Sequence, residues 1–249
     1  MKKKDIATFV ALMVLAIGSI VYPRVQQWRF NIRAQAVIAE FEARIESYTL
    51  AHQQRMMTQY SDYGIVSENE LCAWLTNVSM GLAFMNHRLY MENQEHLVDP
   101  FRYNHPSFNI QPFGLDTDIV GVLNIPVVDI LLPIYLGTSP EHLNSGAAHL
   151  THSSFPVGGD NTNAVIAGHR NMTHGRVFRD IDRLVVGDEI TITNFLDTIM
   201  YVVVETKIVG LNEIDALAIQ SGRDLITLVT THTRWRGDMR YIVIAERVA

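Results

Sequence analysis

The sequence predicts a mainly β domain, either a closed barrel or a sandwich, carried behind N-terminal helices and one membrane-spanning segment. Three observations predict it. After Asp116 the chain breaks into short apolar runs that recur roughly every ten to twenty residues, with turn residues between them, which is the spacing of an all-β fold. Before that point, apolar residues recur at helical spacing. At the N-terminus, Ile6 to Tyr22 is a 17-residue run without a charge.

That first run, IATFVALMVLAIGSIVY, follows Lys2, Lys3 and Lys4. Its length is at the short end for a spanning helix, roughly 17–25 residues. A cleaved signal peptide fits the length too, but YPRVQQWRF follows, without a small-x-small cleavage pattern, so the expectation is an uncleaved anchor. The lysines favour a cytoplasmic N-terminus, while Arg24, Arg29 and Arg33 weaken the charge asymmetry. Tyr22 and Trp28 suit an interfacial position.

From Val25 to about Gln59, Trp28, Ile32, Phe41, Ile45 and Tyr48 mark a helix that packs on a domain. Ser67 and Glu70 form a capping-box signature ahead of LCAWL, so a second helix is expected to about Glu92. Cys72 in its first turn reads as a buried structural thiol. Residues 96–114, HLVDPFRYNHPSFNIQPFG, carry three prolines and read as a loop. By spacing alone, Asp99-Pro100-Phe101 is an ordinary surface turn.

The β-type runs are IVGVLNIP, VVDILLPIYLG, NAVIAGH, DEITITN, IMYVVVETKIV, LITLVT and MRYIVIAE. Between them, only Pro140–His149 and Val177–Leu184 look helical. Bulk properties narrow the function. The net charge of −6 argues against nucleic-acid binding, which needs a basic face. A single cysteine excludes an internal disulfide and a multi-cysteine zinc site. The spacings of His149, His152, His169 and His174 match no metal motif, so no metal or other cofactor is expected.

Candidate chemistry gathers at strand ends, where rigid scaffolds commonly present reactive groups. His169 ends the run AVIAGHR, and a histidine so placed can act as acid or base near neutral pH. Thr230, Thr231 and His232 end the run LITLVT, and Arg240 enters the last one. If those three strands are neighbours, they supply an acid/base and a fixed cationic donor for an acyl-transfer oxyanion. A strong nucleophile is missing.

At these residues the chain resembles a sortase of the class C, pilus-assembling type. The resemblance covers about residues 80–248. IVGVLNIPVVDILLPIYLGTSPEHLNSGAAHL is similar to the family's opening strands and the helix after them. FPVGGDNTNAVIAGHRNMTHGRVFRDIDRLVVGDEI resembles the block that carries its catalytic histidine, here His169. LITLVTTHTRWRGDMRYIVIAERV aligns with the TLxTC block and the following strand, which puts the family's arginine at Arg240. DPF at 99–101 resembles the class C lid motif.

The resemblance implies an eight-stranded sortase-type β-barrel over 115–249 and a lid loop over 96–114. It also implies a helical region over 24–95, an anchor over 6–23 and a cytoplasmic tail over 1–5, with the catalytic domain on the extracellular face of the cell membrane. It implies a cysteine transpeptidase that cleaves an LPxTG-like sorting signal of a pilin or surface protein. The acyl group passes to an amine, a pilin lysine or a cell-wall precursor. His169 would protonate the leaving amine, Arg240 would hold the oxyanion and the substrate backbone, Asp99 would pair with Arg240, and Phe101 would cover position 231. No cofactor is implied.

One position departs from that pattern. Where the family has its nucleophilic cysteine, this chain has Thr231. The residues after it, HTRWRGDM, also differ from the family's usual loop. A thiol is made a thiolate by a cationic neighbour, whereas an alcohol needs a well-oriented base. Threonine's β-methyl group also restricts χ1. Transpeptidation by this chain is therefore expected to be absent or very weak. The alternative reading is an inactive pseudo-sortase that binds sorting signals or pilins as an accessory protein.

Overall fold

A computed structural model describes residues 3–60, 69–102, 109–113, 115, 117–170, 177–233 and 238–248, without the side chains at 3–7, 49, 51–60 and 69–74. Ser67, His174 and the side chains of Glu70 and Cys72, all weighed above, lie outside that set.

Helix α1 runs unbroken from Lys3 through Pro23 to Tyr60. A proline removes one backbone donor and is tolerated in apolar helices where the freed carbonyl finds another partner. Within α1 the stretch Thr8–Tyr48 is long and apolar enough to cross a membrane, its best 18-residue window having mean hydropathy 1.8 and no buried share. Further along, Phe30, Ala34, Ile38 and Phe41 are buried at spacings of four, four and three, so one face packs on the barrel. Helix α2, Asn69–Met91, buries Val78 and Leu82 and is fastened by Asn86. The Asn86 amide donates to the Phe155 carbonyl (3.0 Å) and accepts from the Phe155 N–H (2.7 Å).

Eight strands follow: β1 Ile119–Ile125, β2 Ile130–Leu136, β3 Ala147–His149, β4 Thr162–Ala167, β5 Glu189–Thr193, β6 Thr198–Gly210, β7 Asp224–Thr231 and β8 Met239–Arg247. They close into a barrel in the order β1-β2-β3-β4-β7-β8-β6-β5. Of the two expected architectures the barrel is therefore the one formed. The pairs β2–β3 and β4–β7 are parallel and the rest antiparallel. Along β7 the alternation is clear. Ile226 and Leu228 belong to the main core, whereas Leu225 and Val229 join a second cluster with Val165, Ile242 and Ile244 on the other face.

Two local expectations are corrected. The helix expected over 140–149 stops at Ser145 as α3, Pro140–Ser145, capped by the Ser139 hydroxyl accepting from His142 N–H. A Cβ at Gly146 would lie 2.7 Å from the Pro133 carbonyl oxygen, so glycine permits the close approach after which Ala147–His149 becomes β3. Residues 177–184 form only one 3₁₀ turn, Ile181–Arg183, because Phe178 N–H donates to the His169 carbonyl (3.0 Å) and ties the segment to the end of β4.

The direction of the strands relative to α1 positions the site. The start of β2 lies beside Gln27–Asn31, and its end lies beside Phe41 and Arg44. The β1–β2 turn at 126–129 therefore faces the N-terminal, apolar half of α1. By the pairing pattern, β4 and β7 end, and β8 begins, at that same end of the barrel.

Candidate active site

Thr231 and Arg240 are direct cross-strand partners on β7 and β8. Facing residues of an antiparallel pair share one side of the sheet with Cβ atoms about 5 Å apart. Here that side is the outer face, because Val229 and Ile242 on the same side belong to the outer cluster. His169 follows β4, which pairs in parallel with β7 up to Ala167↔Val229. Two residues beyond that pair on each strand stand His169 and Thr231. The two ends are tied by Gly168 N–H donating to Val229 O (3.1 Å) and by the Thr230 hydroxyl donating to Gly168 O (2.8 Å). A Cβ at Gly168 would lie 2.6 Å from the Phe178 ring, so a side chain there would displace the backbone leading into His169.

A loop lies over these strand ends. Residues 100–102 form a 3₁₀ turn with Pro100 buried. The Asp99 carboxylate accepts the Phe101 N–H (3.2 Å), which fixes the turn from within. The same carboxylate takes Arg240 Nε at 2.6 Å and Nη2 at 2.8 Å, a bidentate ion pair with both side chains only 8% exposed. The Phe101 ring then lies between two site residues. Its centroid is 5.4 Å from that of His169, and the Arg240 guanidinium carbon is 4.8 Å from it. Asp99, Phe101, His169 and Arg240 therefore form one connected group, with Thr231 across the ladder from Arg240.

The electrostatics follow from burial. Desolvation lowers the His169 pKa from its ordinary value, so the imidazole is neutral at pH 7. Among the described residues no carboxylate hydrogen-bonds to it. The third Arg240 nitrogen donates to Met239 O (3.3 Å), so each nitrogen has a partner. The space beside Arg240, walled by Val209, Leu217, Val229 and Ile242, is only about 10 Å³, room for a single water and not for a peptide. The site is shut.

Two supports were not legible in the sequence. Gln94, at positive φ just before the loop, donates to His152 O (3.0 Å) and accepts from Ile219 N–H (2.7 Å), so it staples the base of the loop to two barrel loops. Leu217, buried in the β6–β7 connection, packs in the outer cluster beneath Phe101. Gln94 acts over 58 and 125 residues of separation, which no local pattern signals. Among the described residues, no group of three or more His, Cys, Asp or Glu side chains is arranged to hold a metal.

A family model described as "Sortase domain" matches residues 123–248. The chain belongs to the sortase family. Sortase D of Bacillus subtilis is 30% identical over 131 residues, covering 51% of this chain and 63% of that protein. The solved Group B Streptococcus Pilus Island 1 Sortase C2 is 29% identical, with a TM-score of 0.61 over 70% of this chain and 99% of that one. Streptococcus pneumoniae Sortase C shares the fold at 24% identity, with a TM-score of 0.70 over 86% of this chain and 97% of that one. The sortase match includes β4, β7 and β8, the three strands whose ends make the site.

Proposed function

We propose that this sortase works on LPxTG-like sorting signals of pilin or surface proteins, from an anchor in the cell membrane with the barrel on the extracellular face. The reading is carried by one constellation: Asp99 gripping Arg240 while Phe101 covers His169 and Arg240 together. The two side chains that an acyl-transfer site needs besides its nucleophile are brought together and then covered by a single loop. When that loop lifts, the two Arg240 donors that hold Asp99 are released on the outer face beside position 231. A fixed fork of N–H donors there suits a substrate carbonyl and the oxyanion formed from it. His169 supplies proton transfer. In a transpeptidase of this family the acyl group then passes to an amine, a pilin lysine or a cell-wall precursor.

Thr231 favours a second reading, in which sorting signals are bound and not cleaved. An alcohol at this position needs a base held in line. His169 is neutral and so able to accept a proton, but among the described residues no carboxylate orients it as in serine hydrolases. The test uses the full chain in detergent with a labelled LPxTG-type peptide and an amine acceptor. The expected result is peptide binding with turnover more than about 100-fold below that of a Thr231→Cys variant. Equal turnover by both proteins would make Thr231 a working nucleophile and remove the second reading. Binding by neither would remove both.

A further inference from the structure

The end of the barrel that carries the site also carries apolar side chains that the fold leaves uncovered. Val127, in the turn between β1 and β2, and Leu131, at the start of β2, are 55% and 47% exposed. Val185 and Val186, in the turn before β5, are 62% and 68% exposed. The two turns are neighbours. Strand β1 pairs with β5 through Asn124↔Thr191, which brings Pro126 level with Glu189, three residues after Val186. Elsewhere on the barrel, the exposed large apolar residues are Val204 and Ile208 along β6 and one cross-strand pair, Met200 and Val248, where β6 begins and β8 ends, a smaller group than this one.

The position of this rim relative to α1 says what covers it. Residues 126–129 and 179–183 enclose one cavity of about 460 Å³ together with Gln27, Phe30 and Asn31 of α1. The uncharged part of α1 ends at Tyr22, and Arg24 is the first charge after it. At 1.5 Å per residue, Gln27 and Asn31 lie about 5 and about 10 Å beyond Arg24 along the helix. The polar headgroup layer on one side of a bilayer is itself roughly 5–7 Å thick. A barrel held at that height has its 126–129 turn at the headgroup layer. Trp28, 63% exposed, stands at the same level, where indole rings favour the interface. Arg179 and Arg183 line the cavity together with Asp129 and Asp180, so the apolar side chains and not a net positive charge carry the contact.

We infer that the site end of the barrel rests on the bilayer surface, through an apolar rim of Val127, Leu131, Val185 and Val186. The occupant of this surface is lipid. The inference depends on reading α1 as a membrane anchor and adds a second, peripheral contact to it. Its consequence is functional: the loop that shuts the site and the strand ends beneath it open close to the membrane plane.

The test uses the full chain in vesicles of phosphatidylcholine and phosphatidylglycerol, in a Cys72→Ser background. One variant carries Val186→Cys and another carries Asp160→Cys, at the opposite end of the barrel, each labelled with an environment-sensitive fluorophore. Doxyl lipids report depth. The expected result is a blue-shifted label at 186 that is quenched several-fold more than the label at 160, with the difference reduced by Val127→Asp together with Val185→Asp. Protein that resists alkaline carbonate extraction but shows equal, water-like labels at 186 and 160 overturns the rim and leaves the anchor standing. Protein that carbonate extracts overturns both.

Discussion

Two arginine–carboxylate pairs of the same bidentate geometry stand at opposite ends of the β7–β8 ladder. At the site end, Arg240 holds Asp99 at 2.6 and 2.8 Å. At the far end, Arg223 holds Glu246 at 3.1 and 2.7 Å, within the barrel wall. The first pair is 8% exposed on each side, the second 31% and 38%. Burial and topology separate them. A solvated pair contributes little, because water screens it and holding two long side chains has an entropic cost. In a buried pair, loss of one partner leaves a charge without compensation. The Arg240–Asp99 pair also joins a loop to a strand 141 residues away. It is the pair that decides whether the site is covered, whereas the Arg223–Glu246 pair decides very little.

The comparison breaks most readily at Arg240. Arg240→Ala leaves Asp99 buried without a cation and is expected to lower stability by on the order of 3 kcal/mol, read by denaturant unfolding. Retention of full stability would mean that the loop is open in solution. A similar magnitude is expected from acid. Burial lowers His149 to about 4, with the Ser154 carbonyl opposing that shift. The unfolded state therefore binds a proton that the folded state refuses. Stability is complete above about pH 6.5 and falls by about 3 kcal/mol as pH drops to about 4. A His149→Gln variant should lose most of that dependence.

Phe101→Ala comes next. It removes a ring that contacts both His169 and Arg240, and about 1 kcal/mol of stability is expected to go with it. In a Thr231→Cys background it should raise the alkylation rate of the new thiol several-fold relative to Phe101. The smallest effect is assigned to Glu246→Ala. Although the Arg223 hydrogen bond holds the Glu246 carboxyl below its usual value, the pair lies in solvent, so less than about 1 kcal/mol should be lost. A loss equal to that of Arg240→Ala would erase the distinction between the two pairs.

The barrel was legible because its strands are apolar runs broken by turn residues, and a closed barrel differs from a sandwich only in pairings that lie far apart in sequence. Strand β3 was missed because three residues, Ala147–His149, carry no periodicity and directly follow a real helix. Residues 177–184 have apolar spacing that suits a helix, yet a hydrogen bond from Phe178 to His169 overrides it. His169, Thr231 and Arg240 were readable as strand-end residues. Their convergence with Asp99 and Phe101 was expected only through the resemblance of DPF to a lid motif, since spacing alone makes 99–101 an ordinary turn. Gln94 left no trace in the sequence because it acts only through residues far away in the chain, and Leu217 because no local pattern marks the cluster it shares with Phe101.

We propose a site that is assembled, covered through Asp99 and lacking an effective nucleophile at Thr231. Four full-length proteins test it most directly: wild type, Asp99→Ala, Thr231→Cys and the double variant, each assayed for transpeptidation of an LPxTG-type peptide. Turnover is expected only with cysteine at 231, and faster in the double variant than in Thr231→Cys alone. Turnover by Asp99→Ala equal to that of the double variant would contradict the account.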